Sequence, residues 1–132
     1  MNILPGKIYD FEVCEDLTLV KVQCNDQVLS SIIIESPETV SYLSKNSPIK
    51  VLFKETEVII GKESDFEISL QNQLPCIITE IKKGMLLSRL SLSFGDHEIR
   101  SIITSNAVRN LKLAVGMSVL AMIKTNELML AE

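Results

Sequence analysis

The sequence predicts an all-β protein built twice over, as two small five-stranded Greek-key barrels in tandem, and three observations carry that reading. Shifting the numbering by 70 lays the second half over the first without a gap. Asn2-Ile3-Leu4-Pro5 falls on Asn72-Gln73-Leu74-Pro75, Ser31-Ile32-Ile33 on Ser101-Ile102-Ile103, and Lys54 with Glu57 on Lys124 with Glu127. Short runs rich in Val, Ile and Leu alternate with polar turns, the pattern of strands. Helix-forming patterns are scarce. An uninterrupted register implies one architecture used twice about a pseudo-dyad, so binding groups are expected to converge between the copies.

In the first copy the apolar runs place strands near Ile3 to Phe11, Leu17 to Gln23, Val28 to Ile34, Ile49 to Phe53 and Val58 to Ile60, with counterparts 70 residues on. Asn25-Asp26 and Gly95-Asp96 mark hairpin turns, because small polar residues and glycine tolerate left-handed backbone angles. A short helix is expected after the third strand of each copy. Glu35-Ser36-Pro37-Glu38 offers Ser36 as N-cap, Pro37 at the first helical position and an acid behind it, and the second copy offers Asn106 as cap. Five strands with a helix between the third and fourth is the pattern of an oligonucleotide/oligosaccharide-binding (OB-like) barrel. The repeats run over 1–64 and 65–132. The joint Gly61-Lys62-Glu63-Ser64-Asp65-Phe66-Glu67 is short and polar, so the copies stay together and strand exchange between them is expected.

At 132 residues the chain divides into halves of roughly 65, each near the lower limit for an independent core. Edge strands of such small units call for neighbours, and a homodimer or homotrimer is expected. Composition is that of a globular protein, 46% hydrophobic and 23% charged, with no apolar run approaching the ~18 residues of a membrane span. Met1-Asn2-Ile3-Leu4-Pro5-Gly6 lacks the features of a secretion signal, which predicts a cytoplasmic location without membrane attachment. Cys14, Cys24 and Cys76 are odd in number and share no C-x-x-C spacing, so they read as reduced, mostly buried thiols. His97 is the single histidine, and no cluster has metal-ligand spacing.

Residues 1–68 hold 6 basic and 12 acidic side chains (net −6), and residues 69–132 hold 7 and 5 (net +2), so an anion would be drawn to the second half. Direct nucleic-acid binding is disfavoured. The six aromatics are scattered, no basic stripe exists, and no helix-turn-helix pattern occurs. Catalysis is equally disfavoured, since no nucleophile stands with a base and no carboxylate pair marks an apolar pocket. Glycine patterns that cradle nucleotide phosphates are absent as well.

What the repeat preserves is a set of hydrogen-bond donors: Asn2 and Asn72, Ser31 and Ser101, the capping pair Ser36 and Asn106, and Lys54 and Lys124. Donors without acids suit an oxyanion, whose oxygens only accept. Each of these has a purely structural alternative. Ser36 and Asn106 are explained by capping, Asn2 and Asn72 by fixing the start of a strand, and the lysines by reaching for solvent or pairing with Glu57 and Glu127.

The segments Asn72-Gln73-Leu74-Pro75, Ser101-Ile102-Ile103 and Leu113-Ala114-Val115-Gly116-Met117-Ser118-Val119-Leu120-Ala121-Met122-Ile123-Lys124 resemble the molybdate-binding Mop/TOBE family in order and spacing. Asn2-Ile3-Leu4-Pro5-Gly6-Lys7-Ile8 and Val51-Leu52-Phe53-Lys54 extend the likeness to the first copy, so the chain resembles a di-Mop unit of the kind found in molbindins and in the ligand domain of molybdate-responsive regulators. The resemblance implies binding of molybdate or tungstate between barrels, with no reaction, no further cofactor and the metal bound only as its oxyanion. Storage, homeostasis or sensing would follow.

Carried over by residue, the resemblance favours Lys124, Lys54, Ser69 and Asn72, with Asn2 and Gln71 beside them. Ser31, Ser101, Ser36 and Asn106 would contribute mainly backbone amides. The family's opening Ser-x-Arg-Asn reads Ser69-Leu70-Gln71-Asn72 here, and the first copy, beginning Met1-Asn2, offers neither the serine nor the arginine. The hydroxyl position before the helix falls on Ile33 and Ile103. The alternative is a ligand-silent TOBE-type module that partners a transporter ATPase or a DNA-binding regulator chain.

Overall fold

The computed structural model describes residues 1–62 and 67–132. The expected boundary between residues 64 and 65 lies outside the described residues. The first copy forms β1 (Asn2–Cys14), β2 (Leu17–Cys24), β3 (Gln27–Ile33), β4 (Pro48–Phe53), a 3-10 turn (Glu55–Glu57) and β5 (Ile59–Gly61). The second forms β6 (Asn72–Lys83), β7 (Leu87–Phe94), β8 (His97–Thr104), α1 (Ser105–Asn110), β9 (Ser118–Ile123), a 3-10 turn (Thr125–Glu127) and β10 (Met129–Ala131). The ten strands of the described residues lie where the apolar runs place them, with β1 and β6 reaching further along their hairpins. Among the described residues no helix is long and apolar enough to cross a membrane.

Alternation sets the inward face. Ile49, Val51 and Phe53 of β4 are buried while Lys50 points out, and Leu74, Cys76 and Ile78 of β6 are buried while Pro75 and Ile77 are exposed. The prolines fit because of register. Pro5 pairs only with Lys50 of β4, since pairing with β2 begins at Lys7, so the missing N–H costs no ladder bond. The duplication reaches the backbone: the ladder slips between Ile8 and Asp10 in one copy and between Ile78 and Glu80 in the other.

The two sheets run β10-β4-β1-β2-β3 and β5-β9-β6-β7-β8. Each copy therefore sends its fifth strand to the other, as Met129 pairs with Leu52 and Ile59 with Met122. This is the expected strand exchange. Two buried serines pin the crossing chains: the Ser31 hydroxyl donates to the Leu128 carbonyl and the Ser101 hydroxyl to the Val58 carbonyl, both at 2.9 Å. Val58 and Leu128 are themselves buried in the common core, each side chain contributing about 1.5–3 kcal/mol.

The expected helix forms only in the second copy, which corrects both predicted caps. Thr104, not Asn106, is the N-cap of α1, its Oγ1 accepting from the Ala107 N–H at 3.1 Å, and Asn106 sits exposed in the first turn. In the first copy residues 37–39 make only a turn, in which the Thr39 and Val40 N–H groups donate to the Ser36 carbonyl. The physical reason lies in composition. Thr39-Val40 is β-branched where α1 has the helix-forming Arg109, and Ala107 is replaced by Pro37, which lacks an N–H to donate back to a cap.

Candidate functional site

The seam between the copies is held by two asparagines. Asn2 grips the backbone of Arg100, donating from Nδ2 to its carbonyl at 2.9 Å and accepting its N–H on Oδ1 at 2.8 Å. Asn72 grips Ser30 in the same way, at 2.9 and 2.7 Å. Both side chains are buried, as are Ser31 and Ser101. These four predicted donors thus meet at the seam with their side chains already engaged by protein, which leaves binding to their surroundings.

Lys54 and Lys124 follow the last residues of β4 and β9 and open the two 3-10 turns. Register puts them at the seam: Phe53 pairs with Asn2 and Ile123 with Asn72, so Gln71 and Lys124 leave the end of one ladder together. Both lysines are exposed, and among the described residues neither takes part in a salt bridge. The competing pairing with Glu57 or Glu127 does not form. Instead Glu57 Oε1 accepts the Lys54 backbone N–H at 3.1 Å.

The turns meet through their acids. Partial burial raises the pKa of the Glu127 carboxyl, and a hydrogen bond with Glu57 and the charge of that second carboxyl add to the rise, while Lys124 and Lys54 oppose it. Both ammoniums therefore lie within electrostatic reach of one carboxyl on the pseudo-dyad.

Ser69 and Gln71 are exposed on the approach to β6, flanking the intermediate Leu70, whose carbonyl accepts from Gln73 Nε2 at 2.8 Å. Ser36 lies in the first-copy turn and Asn106 on α1, and among the described residues neither side chain hydrogen-bonds to the groups above.

Several residues were not singled out by the sequence. Thr104 supplies a hydroxyl immediately before the helix, one residue beyond Ile103, and it serves as the cap of α1; Ile34 is its first-copy counterpart. A cavity of about 210 Å³ beside Asn2 is lined by Met1, Ile3, Glu55, Glu98 and Arg100. In it Glu98 Oε1 lies 3.1 Å from Arg100 Nε, and Glu55 lies 3.5 Å from the Met1 amino group. Comparing charges between equivalent positions would have found this locus, because Glu55, Glu98 and Arg100 answer to Thr125, Val28 and Ser30.

Duplicated five-stranded barrels that exchange their last strand, with lysines at the ends of the seam ladders, define a tandem small-barrel protein. Residues 68–130 match the TOBE domain. The family likeness thus lies in the second repeat, and the first repeat has the same strands in the same order. Its fold is that of the cytoplasmic molybdate-binding protein ModG, crystallised with molybdate bound, at a TM-score of 0.91 and 22% identity over 98% of this chain and 94% of that one. A molybdate-binding protein from Sporomusa ovata is similar over 45% of this chain and 88% of its own, with 30% identity and a TM-score of 0.44. No curated protein matches the chain in sequence.

Proposed function

We propose that this chain is a cytoplasmic, non-enzymatic binding protein for a tetrahedral oxyanion, molybdate or tungstate, held at the seam between barrels and serving storage, homeostasis or sensing. One observation carries the reading: at the Asn72 end of the seam Lys124 leaves the ladder beside Gln71 with no salt-bridge partner among the described residues, Thr125 next to it in the chain and Ser69 two residues before Gln71. Amide, hydroxyl and ammonium groups donate to an oxyanion, and an ammonium without a carboxylate partner retains its charge for one. The molybdate in ModG, whose fold this chain shares, supports the choice of anion. The same unpaired lysine speaks against a ligand-silent module.

Lys124, Ser69, Asn72 and Gln71 would frame the locus at one end of the seam, and Lys54 and Asn2 its counterpart at the other, with backbone amides near Ser31 and Ser101. The repeats 1–64 and 65–132 would act as one unit, assembled as a homodimer or homotrimer. Selection against sulfate would come from size, because a smaller tetrahedron cannot reach all the fixed donors at once. Isothermal titration with molybdate, tungstate and sulfate tests the reading. Heat is expected with the first two and at least about tenfold weaker binding with sulfate; equal heats, or none with molybdate, would reject it.

A further inference from the structure

The repeat gives each barrel an equivalent locus beside its seam asparagine, and the two loci carry different chemistry. Beside Asn2 stand Glu55, Glu98 and Arg100; at the corresponding places beside Asn72 stand Thr125, Val28 and Ser30. Each locus also has a lysine, Lys54 or Lys124, where the adjoining strand ends. Only the first has carboxylates at these places, and they engage its cations: Glu98 holds Arg100 at 3.1 Å and Glu55 reaches the Met1 amino group at 3.5 Å.

We infer that the two loci have diverged, so that Glu55 and Glu98 act as built-in acceptors that close the Asn2 locus to oxyanions, leaving the Asn72 locus as the one that binds. This rests on the oxyanion reading and states which half of the seam performs it. The argument is one of like groups. A carboxylate and a molybdate oxygen are both acceptors and both negative, so an anion entering the first cavity meets two carboxylates whose charges offset those of Arg100 and the Met1 amino group, and finds the Arg100 Nε already engaged. The hydrogen bond from Arg100 holds the Glu98 carboxyl below its ordinary value, which keeps that negative charge in place near neutral pH. At the second locus Thr125 and Val28 bring no carboxylate, while the Glu57–Glu127 pair bears on Lys54 and Lys124 alike and so does not distinguish the loci.

Exchanging the loci tests this. The Glu55→Thr/Glu98→Val double variant gives the first locus the residues of the second at both carboxylate positions, and Val28→Glu/Thr125→Glu does the reverse. Both carboxylates are at least partly exposed, with Glu98 at 53% and Glu55 at 20%, so the fold is expected to survive, and a thermal melt checks it. Titration with molybdate should give the opened variant twice the wild-type number of anions per chain and should abolish binding, or weaken it at least tenfold, in the reverse variant. Glu98→Gln, which keeps the side-chain shape, should raise the stoichiometry or the affinity by itself. Wild-type stoichiometry in the opened variant, or undiminished binding in the reverse one, overturns the divergence alone. No binding by any of the proteins overturns the oxyanion reading beneath it.

Discussion

Asn72 holds Ser30 by both polar atoms of its backbone, across the seam between the two repeats. Because Asn72 is buried, removing its amide leaves an N–H and a carbonyl without partners where water enters poorly. Asn72→Ala should cost about 3 kcal/mol and lower the melting temperature by roughly 10 °C. The Asn2→Ala change at the equivalent contact should behave alike, and the two should add, since they touch different backbone segments. A change under about 1 kcal/mol in either would show that the clamp is not what joins the copies.

Strand exchange makes the last residues of the chain part of the first sheet. A chain truncated after Glu127 should therefore lose amide-exchange protection at Val51 and Leu52 of β4, which pair with Leu130 and Met129, more than at Ala121 and Met122 of β9. Deprotection centred on β9 would instead mean that each barrel keeps its own fifth strand. Ser31→Ala, which removes the bond to the Leu128 carbonyl, should reproduce the effect more weakly, at about 1 kcal/mol.

Much of this fold was legible because strand positions are written in local alternation and the repeat writes them twice. Ile49, Val51 and Phe53 are the buried positions of β4, and the equivalent Val119, Ala121 and Ile123 are buried in β9, which buries Leu120 and Met122 as well. Pairing partners are not local. The exchange of β5 and β10 was expected from the short joint, but the roles of Ser31 and Ser101 in pinning it depend on residues 97 and 43 positions away. For the same reason Asn2 and Asn72 stood out as donors while the backbone they hold did not. The helix of the first copy was misread because Ser36-Pro37 satisfies the rules for starting a helix, whereas Thr39-Val40 fails those for continuing one. Arg100 and Glu98 look like ordinary exposed strand residues until the fold brings them beside Asn2.

Lys124→Ala should weaken molybdate binding by about one to two decades, the worth of one charge-assisted hydrogen bond of roughly 1.5–3 kcal/mol. Lys54→Ala should change it little, since Lys54 serves the closed locus. Stability should be nearly unaffected in both, because neither ammonium has a salt-bridge partner among the described residues. Titration and a thermal melt on the same samples check the pair, and equal losses of affinity would argue for two working loci.

The three thiols should separate cleanly. Burial pushes Cys24 up to about 11 and Cys76 up to about 12, the latter despite an opposing backbone hydrogen bond, so at pH 8 roughly one thiol in a thousand or fewer is ionised. Cys14 is exposed at the end of β1. A disulfide reagent at that pH should titrate one fast equivalent in the native protein and the other two only in denaturant. Two fast equivalents would mean that the barrel around Cys24 or Cys76 opens readily.

The paired acids of the 3-10 turns give stability a pH dependence of unusual sign. Partial burial, followed by the hydrogen bond and charge of Glu57, holds the Glu127 pKa above its ordinary value of 4.5. Between that value and its folded one the native chain binds more proton than the unfolded chain, so this group's contribution is fully present below about 4.5 and is lost as pH rises through the folded value. Glu98, whose pKa is lowered, contributes in the opposite sense and loses its contribution on acidification. The difference between wild type and Glu127→Gln isolates the pair, because the amide keeps a hydrogen-bonding partner for Glu57 and cannot ionise. Melting temperatures followed from about pH 4 to 8 should show the advantage of wild type shrinking, or that of the Glu127→Gln variant growing, as pH rises. A difference independent of pH would mean that the two carboxyls are too far apart in solution to share a proton.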